Sequence, residues 1–205
     1  MATRFQECIV YVVDDDEAVL RSIEWLLQSV PFNVKVYRSA IAFLHEIEGH
    51  HQGCLVTDLR MPEMSGIELH AALKKRKIDL PVIVMTAHGQ VALAVDAMKQ
   101  GVIDFIEKPF DDQHFIDAIN KAIRYGLEQA DERQQTFQIQ QQFSSLTERE
   151  QQICGYVSDG CTNKEISAKL NISEKTVESH RAQGMRKMGA NSLAELIRML
   201  LKVRP

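Results

Sequence analysis

Residues 8–16, CIVYVVDDD, decide how the first part of the chain folds. Six apolar or aromatic residues in a row have the length and composition of a buried strand, and three consecutive aspartates end the run. Apolar residues then recur at the spacing of an amphipathic helix, at Val19, Ile23, Leu26, Leu27 and Val30. The segment therefore predicts a buried strand, an acidic turn and a helix, in that order.

Short apolar runs and amphipathic segments alternate from here to residue 127. The runs predict strands at 34–36, 53–57, 82–85 and 102–106. The segments predict helices at 40–47, 67–75 and 91–99, and a last helix marked by Ile116, Ile119 and Ile123. Strands that alternate with helices form a parallel sheet with both faces covered. The sequence therefore predicts an α/β domain over residues 1–127, with a five-stranded, parallel, doubly wound sheet of the flavodoxin-like type.

Residues 128–143 have a different composition, with seven glutamines, few apolar residues and no glycine or proline. Their helix propensity is fair, but the apolar stripe is thin. We interpret them as a solvated helical linker. A second interpretation is that they extend the preceding helix and pair in a dimer.

From residue 144 to 205 the pattern is entirely helical. Three Ser/Thr-x-x-Glu capping boxes mark helix starts, at Thr147…Glu150, Thr162…Glu165 and Ser192…Glu195. Ser173 opens a further helix, and the connection Asn171-Ile172-Ser173 is short enough to bend two helices against each other. The sequence therefore predicts an all-α, four-helix domain that contains a helix-turn-helix.

Charge and composition exclude several classes of protein. Residues 1–143 carry 14 Lys and Arg against 21 Asp and Glu, whereas residues 144–205 carry 10 against 7, so a nucleic-acid contact would belong to the second part. No run of residues is long and apolar enough for a membrane helix, and we see no signal peptide at the N-terminus. The four cysteines are scattered and suit thiols in a reducing compartment. We expect a cytoplasmic protein that does not contact a membrane.

Acidic side chains follow two strands that a 2-1-3-4-5 sheet would make neighbours. Asp14 and Asp15 end the first strand and Asp58 ends the third, so their carboxylates would converge. Like charges this close need a cation, and hard oxygen ligands suit Mg²⁺. Lys108, directly after the fifth strand, and Thr86, at the end of the fourth, add an ammonium and a hydroxyl. Such a set suits phosphoryl transfer to a carboxylate.

Each of these residues also has an ordinary structural interpretation. The aspartates after the first strand could simply cap the next helix, Lys108-Pro109 could be a turn, and Thr86 could be a helix cap. Their joint placement at four strand ends favours a site.

The motifs around these residues resemble the receiver domains of two-component response regulators, closest to the FixJ-like branch of the NarL/FixJ group. They are Val12-Val13-Asp14-Asp15-Asp16, Asp58-Leu59-Arg60-Met61-Pro62-Glu63-Met64-Ser65-Gly66, Thr86-Ala87-His88-Gly89 and Phe105-Ile106-Glu107-Lys108-Pro109. The resemblance, over residues 7–127, implies that Asp58 accepts a phosphoryl group from a phosphohistidine of a sensor kinase. It implies that Asp14, Asp15, Asp58 and the Arg60 carbonyl bind Mg²⁺, that Thr86 and Lys108 contact the phosphoryl group, and that Phe105 is the aromatic switch partner.

Because Phe105 lies next to Thr86, we expect phosphorylation to promote a homodimer through the adjoining receiver face. The predicted helix 91–99 and the fifth strand form this face, which includes Val91 and Val95.

Three motifs stand out in the second part: Leu146-Thr147-Glu148-Arg149-Glu150, Asn163-Lys164-Glu165-Ile166 and Thr176-Val177-Glu178-Ser179-His180-Arg181. Together they resemble the LuxR/GerE-type DNA-binding domain, over residues 144–203. By motif position, Glu178, Ser179 and Ala182 would face base edges. The phosphate candidates are Lys164, Lys175, Thr176, Arg181 and Arg186. The family also pairs DNA-bound monomers through the last helix, which carries Leu193, Leu196, Ile197 and Leu200.

Some alternatives stay open for this domain. Glu178 could be a surface carboxylate that pairs with Arg181 one turn on, and the basic helix face could be merely solvated. Gly184 departs from the family pattern, which has a branched apolar residue there, so the packing of that turn is in doubt.

These observations predict a phosphorylation-dependent transcription regulator. It would not be a dedicated enzyme, although its receiver would promote its own phosphorylation and dephosphorylation. Its expected partners are double-stranded DNA, a sensor histidine kinase, a second copy when phosphorylated and RNA polymerase. One rival is a haloacid-dehalogenase-like phosphatase, with Asp14 and Asp16 as its Asp-x-Asp motif and Asp111-Asp112 as its late acidic pair. Another is a phosphorelay receiver without an output domain.

Overall fold

A parallel sheet of five strands forms the centre of the N-terminal part. The computed structural model describes residues 7–49, 51–87 and 98–203. The strands are β1 (Ile9–Val13), β2 (Asn33–Tyr37), β3 (Gly53–Asp58), β4 (Val82–Ala87) and β5 (Asp104–Lys108). Their order is β2-β1-β3-β4-β5 and every pairing is parallel, which confirms the predicted fold class.

Helices cover both faces of this sheet. They are α1 (Glu17–Leu27), α2 (Ala40–Glu46), α3 (Gly66–Lys75) and α4 (Asp112–Ser144). Most of the predicted helix 91–99 lies outside the described residues, and so do Val91 and Val95.

The alternation of side chains along each strand makes two apolar layers. Val10 and Val12 point into one layer, with Leu20, Ile23 and Phe115 from the helices on that side. Tyr11 and Val13 point into the other, with Phe43, Leu69 and Leu73. Because both faces of the sheet are buried, the central strands are continuous apolar runs in the sequence. This pattern allowed the positions of the strands to be predicted.

The fifth strand begins later than the sequence predicts. The apolar run 102–106 indicated a strand there, but the strand that pairs with β4 is Asp104–Lys108. Val102 is buried in the core before the strand begins, just after Gly101 with its positive φ of 95°. The shift moves Lys108 from the turn into the last position of β5.

The predicted linker is part of one long helix. Helix α4 runs through Asp112–Ser144 without a break, so the linker extends the preceding helix as in the second interpretation. The chain divides into two compact units, Met1–Gln129 and Ala130–Pro205, and the division falls within this helix. Ile139 and Phe143 pack against the C-terminal core, so a wholly solvated linker is wrong for these two residues. Whether the helix pairs in a dimer stays a prediction.

The C-terminal unit contains four more helices. They are α5 (Glu148–Ser158), α6 (Asn163–Leu170), α7 (Glu174–Met188) and α8 (Leu193–Val203). The capping boxes at Thr147 and Thr162 are complete, and Ser173 caps α7. At the start of α8, Ser192 Oγ accepts from Glu195 N–H, but the Glu195 carboxylate accepts from Asn191 N–H instead of Ser192 N–H. All four predicted helix starts are therefore present, with one box in altered form.

Gly184 is explained by the crossing of α5 and α7. A Cβ atom on Gly184 would lie 2.7 Å from Cys154 Sγ, closer than real Cβ contacts. Both residues are buried, and Cys154 has no exposed surface. The glycine thus makes room for a buried thiol on the neighbouring helix, and this turn of α7 is well packed without a branched apolar side chain.

We predict that Gly184→Ala destabilises the C-terminal unit by about 1 kcal/mol, because overpacking a core outweighs the gain in helix propensity. Cys154→Ala should remove the clash, so the double variant should be more stable than the two single effects predict, with a coupling of about 1 kcal/mol. Amide hydrogen exchange in α5 and α7 measures both effects.

Gln183→Ala, at the exposed neighbouring position, is the control and should leave exchange in both helices nearly unchanged. Additive effects of the two core substitutions would contradict this explanation of the glycine.

Candidate functional site

Four polar residues lie at the carboxyl edge of the sheet. Asp14 directly follows β1, Asp58 ends β3, Thr86 is the penultimate residue of β4 and Lys108 ends β5. These four strands are adjacent in the sheet, so their ends lie side by side. β1 and β3 flank the point where the strand order reverses, and ligand sites form there in doubly wound folds.

Lys108 joins the two carboxylates directly. Its Nζ donates to Asp14 Oδ2 at 2.6 Å and to Asp58 Oδ1 at 2.5 Å. Asp14 is almost fully buried with 1% of its surface exposed, whereas Asp58 is half-buried. One ammonium therefore compensates two carboxylates in a partly desolvated pocket, through charge-assisted hydrogen bonds that are stronger than neutral ones.

The pKa directions follow from this arrangement. Burial raises the pKa of the Asp14 carboxyl above its ordinary value, in spite of the hydrogen bond from Lys108. Burial also acts to lower the pKa of Lys108, but its bonds to Asp14 and Asp58 outweigh that effect, and the pKa is raised. The lysine thus keeps its proton, while its single charge does not fully offset the desolvation of Asp14.

The loop after Asp58 holds this carboxylate in place. Arg60 N–H donates to Asp58 Oδ2 at 2.7 Å, and Leu59 N–H donates to Met85 O at 2.8 Å. At the start of α3, a Cβ on Gly66 would come within 2.4 Å of the Asp58 carbonyl oxygen. Glycine is therefore required here so that the helix can begin directly beside the backbone of Asp58.

The remaining predicted residues of this pocket differ in placement. Thr86 is buried, with 8% exposed, and its hydroxyl donates to Ala87 O at 3.0 Å. Phe105 is half-buried on β5, packs on the core layer of Tyr11 and lies opposite Val84 of β4. Asp15 is exposed.

Two carboxylates of this pocket fit the expected Mg²⁺. In residues 7–49, 51–87 and 98–203, no three His, Cys, Asp or Glu side chains converge as a ready metal site. Asp14 and Asp58 still fit the ion, because Mg²⁺ is commonly held by one or two carboxylates with waters and phosphate oxygens. The incompletely compensated charge of Asp14 also favours a cation beside it.

The acidic residues of the phosphatase rival have structural roles. Asp16 caps α1, where its carboxylate accepts from Ala18 N–H at 2.8 Å. Asp111 accepts from His114 N–H at the start of α4, and Asp112 is the first residue of that helix. Asp16 and Asp111 are therefore engaged in capping helices, and Asp111-Asp112 lie at a helix start instead of a strand end, which argues against that enzyme.

Helices α6 and α7 form the predicted helix-turn-helix. Asn171 ends α6 in the left-handed conformation with φ 51°, Ile172 packs on the core and Ser173 caps α7. Ile166 and Val177 are fully buried and hold the two helices against the rest of the unit. One side of α7 is therefore fixed inward, and the other side is available to a groove of DNA.

The predicted base-reading residues Glu178, Ser179 and Ala182 are all exposed on α7. Among the phosphate candidates, Lys164, Lys175 and Arg186 are exposed, and Thr176 and Arg181 are half-buried. Thr176 N–H donates to Ser173 Oγ in the cap. Within the described residues no ion pair joins Glu178 to Arg181; Arg181 Nη1 donates instead to Asn163 Oδ1 at 3.2 Å.

Sequence reasoning missed two side chains that act on α7. Glu150 is buried with 2% exposed, and besides its role in the capping box it accepts from Lys187 Nζ at 2.7 Å. This ion pair holds the pKa of Glu150 below its ordinary value and ties the last turn of α7 to α5. Asn163, the partner of Arg181, is the other. Both residues lie in motifs that the sequence analysis singled out, Glu150 also in a capping box, but neither motif indicated a contact with α7.

Two family models match the chain. The model of the response regulator receiver domain matches residues 10–120, and the model of bacterial regulatory proteins of the luxR family matches residues 144–200. No helix in the described parts of the chain is both long and apolar enough to cross a bilayer.

Relatives match over nearly the whole length. The chain is 46% identical to the transcriptional regulatory protein FixJ of Rhizobium meliloti (strain 1021), with 94% of each chain covered. It is 39% identical to the response regulator protein TmoT of Ectopseudomonas mendocina, over 95% of this chain and 88% of that protein.

Two solved structures are similar over both units. One is the response regulator StyR, with a TM-score of 0.82 at 41% identity, covering 96% of this chain and 99% of StyR. The other is full-length FixJ from B. japonicum, with a TM-score of 0.60 at 41% identity, covering 96% of this chain and 97% of that one.

Proposed function

The chain belongs to the DNA-binding response regulators of two-component systems, with a receiver domain and a LuxR-type domain in the FixJ-like arrangement, and we propose how its residues serve that function. Proteins of this family regulate transcription and are not dedicated enzymes. The functional domains we propose are the receiver, residues 1–127, and the DNA-binding domain, residues 144–205, with residues 128–143 between them.

We propose that Asp58 is the phospho-acceptor and that the phosphodonor is a phosphohistidine of the cognate sensor histidine kinase. A carboxylate oxygen of Asp58 attacks phosphorus, the bond from phosphorus to the imidazole nitrogen breaks, and the imidazole leaves and takes up a proton. The observation that carries this proposal is the contact of Lys108 Nζ with Asp58 and Asp14. We expect its ammonium to neutralise the charge that develops on the transferred group.

The other residues of the pocket have supporting roles in this proposal. The Thr86 hydroxyl contacts a phosphoryl oxygen, and Phe105 responds to its movement. Asp14, Asp15, Asp58 and the Arg60 carbonyl would hold Mg²⁺, which supplies charge neutralisation at the phosphoryl oxygens when bound. The receiver itself would promote both phosphorylation and dephosphorylation of Asp58.

Acetyl phosphate with Mg²⁺ should label the full chain at one site, and Asp58→Asn should abolish the labelling, because no other carboxylate ends β3 beside Lys108. Intact-protein mass spectrometry measures the added phosphoryl group. Asp16→Asn is the matched control, since asparagine also caps helices and the bond from the Asp16 N–H to Asp14 is a backbone bond, and it should label as the wild type does. Wild-type labelling of Asp58→Asn, or its loss in Asp16→Asn, would contradict the assignment.

For the DNA-binding domain, we propose that Glu178, Ser179 and Ala182 read bases in the major groove of double-stranded DNA. Lys164, Lys175, Thr176, Arg181 and Arg186 would bind phosphates. The exposure of the three base-reading positions on one helix supports this division.

Arg181→Ala should weaken binding of the full chain to all DNA sequences about equally. It should also reduce the salt slope, the magnitude of the slope of the logarithm of the binding constant against that of the salt concentration, by about one. Glu178→Ala should instead relax the preference at one position of each half-site, with a discrimination loss of about 1–3 kcal/mol. Binding to a library of duplexes at several salt concentrations separates the two effects. The same uniform loss in both variants would exclude base reading by Glu178.

We propose that phosphorylation promotes a homodimer through the receiver face that includes Val91 and Val95, and that α8 pairs the monomers on DNA. Of the four residues expected on this helix, Leu196 and Leu200 are buried in the core of the unit and cannot pair. Leu193, Ile197 and Leu201 lie four residues apart on α8, and 73% of Leu201 is exposed. Such a stripe of apolar side chains suits a symmetric helix pair.

Sedimentation at micromolar concentration should show more dimer after phosphorylation. A shift from 1% to 99% dimer would need about 5.5 kcal/mol of differential stabilisation, so we expect a partial shift. Leu201→Glu should preserve this dimer but abolish cooperative binding to paired half-sites, because it changes only α8. An unchanged mass after phosphorylation would refute the receiver dimer, and unchanged cooperativity in Leu201→Glu would refute pairing through α8.

As a regulator that binds DNA, the protein would act in the cytoplasm and contact RNA polymerase at its promoters. Transcription of a target promoter with purified components would test the second point.

A further inference from the structure

The connection between α6 and α7 contains a hydrogen bond that the proposed DNA contacts do not explain. Arg181 lies in the second turn of α7, and its guanidinium reaches back to the first residue of α6, where Nη1 donates to Asn163 Oδ1 at 3.2 Å. Both side chains are half-buried. An arginine expected to bind phosphate is therefore already held by a second helix.

The acceptor itself is in a fixed position. Thr162 caps α6, its Oγ1 accepts from Glu165 N–H, and the Glu165 carboxylate accepts from Thr162 N–H at 2.7 Å. This closed capping box fixes the first turn of α6, and Asn163 lies within that turn. The guanidinium is thus anchored to a rigid point.

The chemistry of the acceptor matters as much as its position. An amide oxygen can orient an arginine without cancelling its charge, whereas a carboxylate would neutralise it. Lys187 shows the contrast, because its ammonium is paired with the buried carboxylate of Glu150. Asn163 accepts from one of the five guanidinium N–H groups, and a phosphate could accept from others.

The bond is not needed to hold the two helices together. Buried Ile166 and Val177 join α6 and α7 to the core, and Arg149 Nη2 donates to Leu170 O at the end of α6. A single hydrogen bond between half-buried groups adds modestly to this packing.

We propose that Asn163 is a positioning residue for DNA binding, which orients the Arg181 guanidinium toward a backbone phosphate and leaves its charge intact. The inference rests on the proposed phosphate contact of Arg181. An arginine held in its binding geometry loses less side-chain entropy when the contact forms, so affinity rises without any added charge.

Three substitutions distinguish orientation from charge. Asn163→Ala frees the arginine, so affinity for a random-sequence duplex should fall about 3- to 10-fold, with the salt slope unchanged. Asn163→Asp keeps the acceptor but neutralises Arg181, so the salt slope should drop by about one while Arg181 is still present. Aspartate in the first turn of a helix is stabilising, so unfolding cannot account for that loss.

The measurement is fluorescence anisotropy of the full chain with the duplex, between roughly 50 and 200 mM salt. Asn163→Ala should have no further effect when Arg181 is alanine. Gln152→Ala is the matched control. Arg149 Nη1 donates to Gln152 Oε1 at 3.1 Å, so this variant removes an amide acceptor from another arginine, and it should bind DNA like the wild type.

Equal losses from Asn163→Ala with and without Arg181, or a wild-type salt slope in Asn163→Asp, would overturn the positioning role. If Arg181→Ala itself binds DNA as the wild type does, the phosphate contact fails and the positioning role fails with it. If Arg181→Ala weakens DNA binding but the Asn163 variants bind as the wild type does, the phosphate contact of Arg181 is supported and the positioning role of Asn163 is excluded.

Discussion

The bridge from the Lys108 ammonium to Asp14 and Asp58 is the interaction on which the N-terminal unit depends. A parallel sheet brings the ends of adjacent strands together, and here two of those ends carry carboxylates in a partly desolvated pocket. Without a cation the charges would repel, and burial of Asp14 would be costly. The position of β5, the close start of α3 at Gly66 and the loop after Asp58 all serve to keep this pocket assembled.

The C-terminal unit depends on local hydrogen bonds rather than on converging charges. Capping boxes fix the starts of α5 and α6, and Ser173 fixes the start of α7. One capping carboxylate, that of Glu150, has a second partner in Lys187 and so links the cap of one helix to the last turn of another. The orientation of the exposed face of α7 therefore follows from contacts at both its ends.

The strands, their order and the pocket could be predicted from the sequence because buried parallel strands are continuous apolar runs and strand ends must adjoin. The start of β5 could not, since Val102 contributes to the core without pairing in the sheet. Contacts between helices could not be predicted from the sequence either. The packing of Gly184 against Cys154 and the hydrogen bond from Arg181 to Asn163 depend on how two helices cross. Residue spacing along one helix does not determine the crossing angle or position. For Asp15 only the motif indicates a metal ligand, and that role stays a prediction; its side chain is exposed.

The placement of charges on β5 has a consequence for self-association of the folded protein. β2 and β5 end the sheet, and a strand at a sheet edge can pair with the edge of another molecule. β5 carries Asp104, Glu107 and Lys108 within five residues, and β2 carries Lys35, which pairs with Glu46. Charged side chains at both ends make edge-to-edge addition of strands unfavourable. Because β5 extends to Lys108, Glu107 and Lys108 belong to the edge strand together with Asp104, and we expect these charges to disfavour aggregation through this edge.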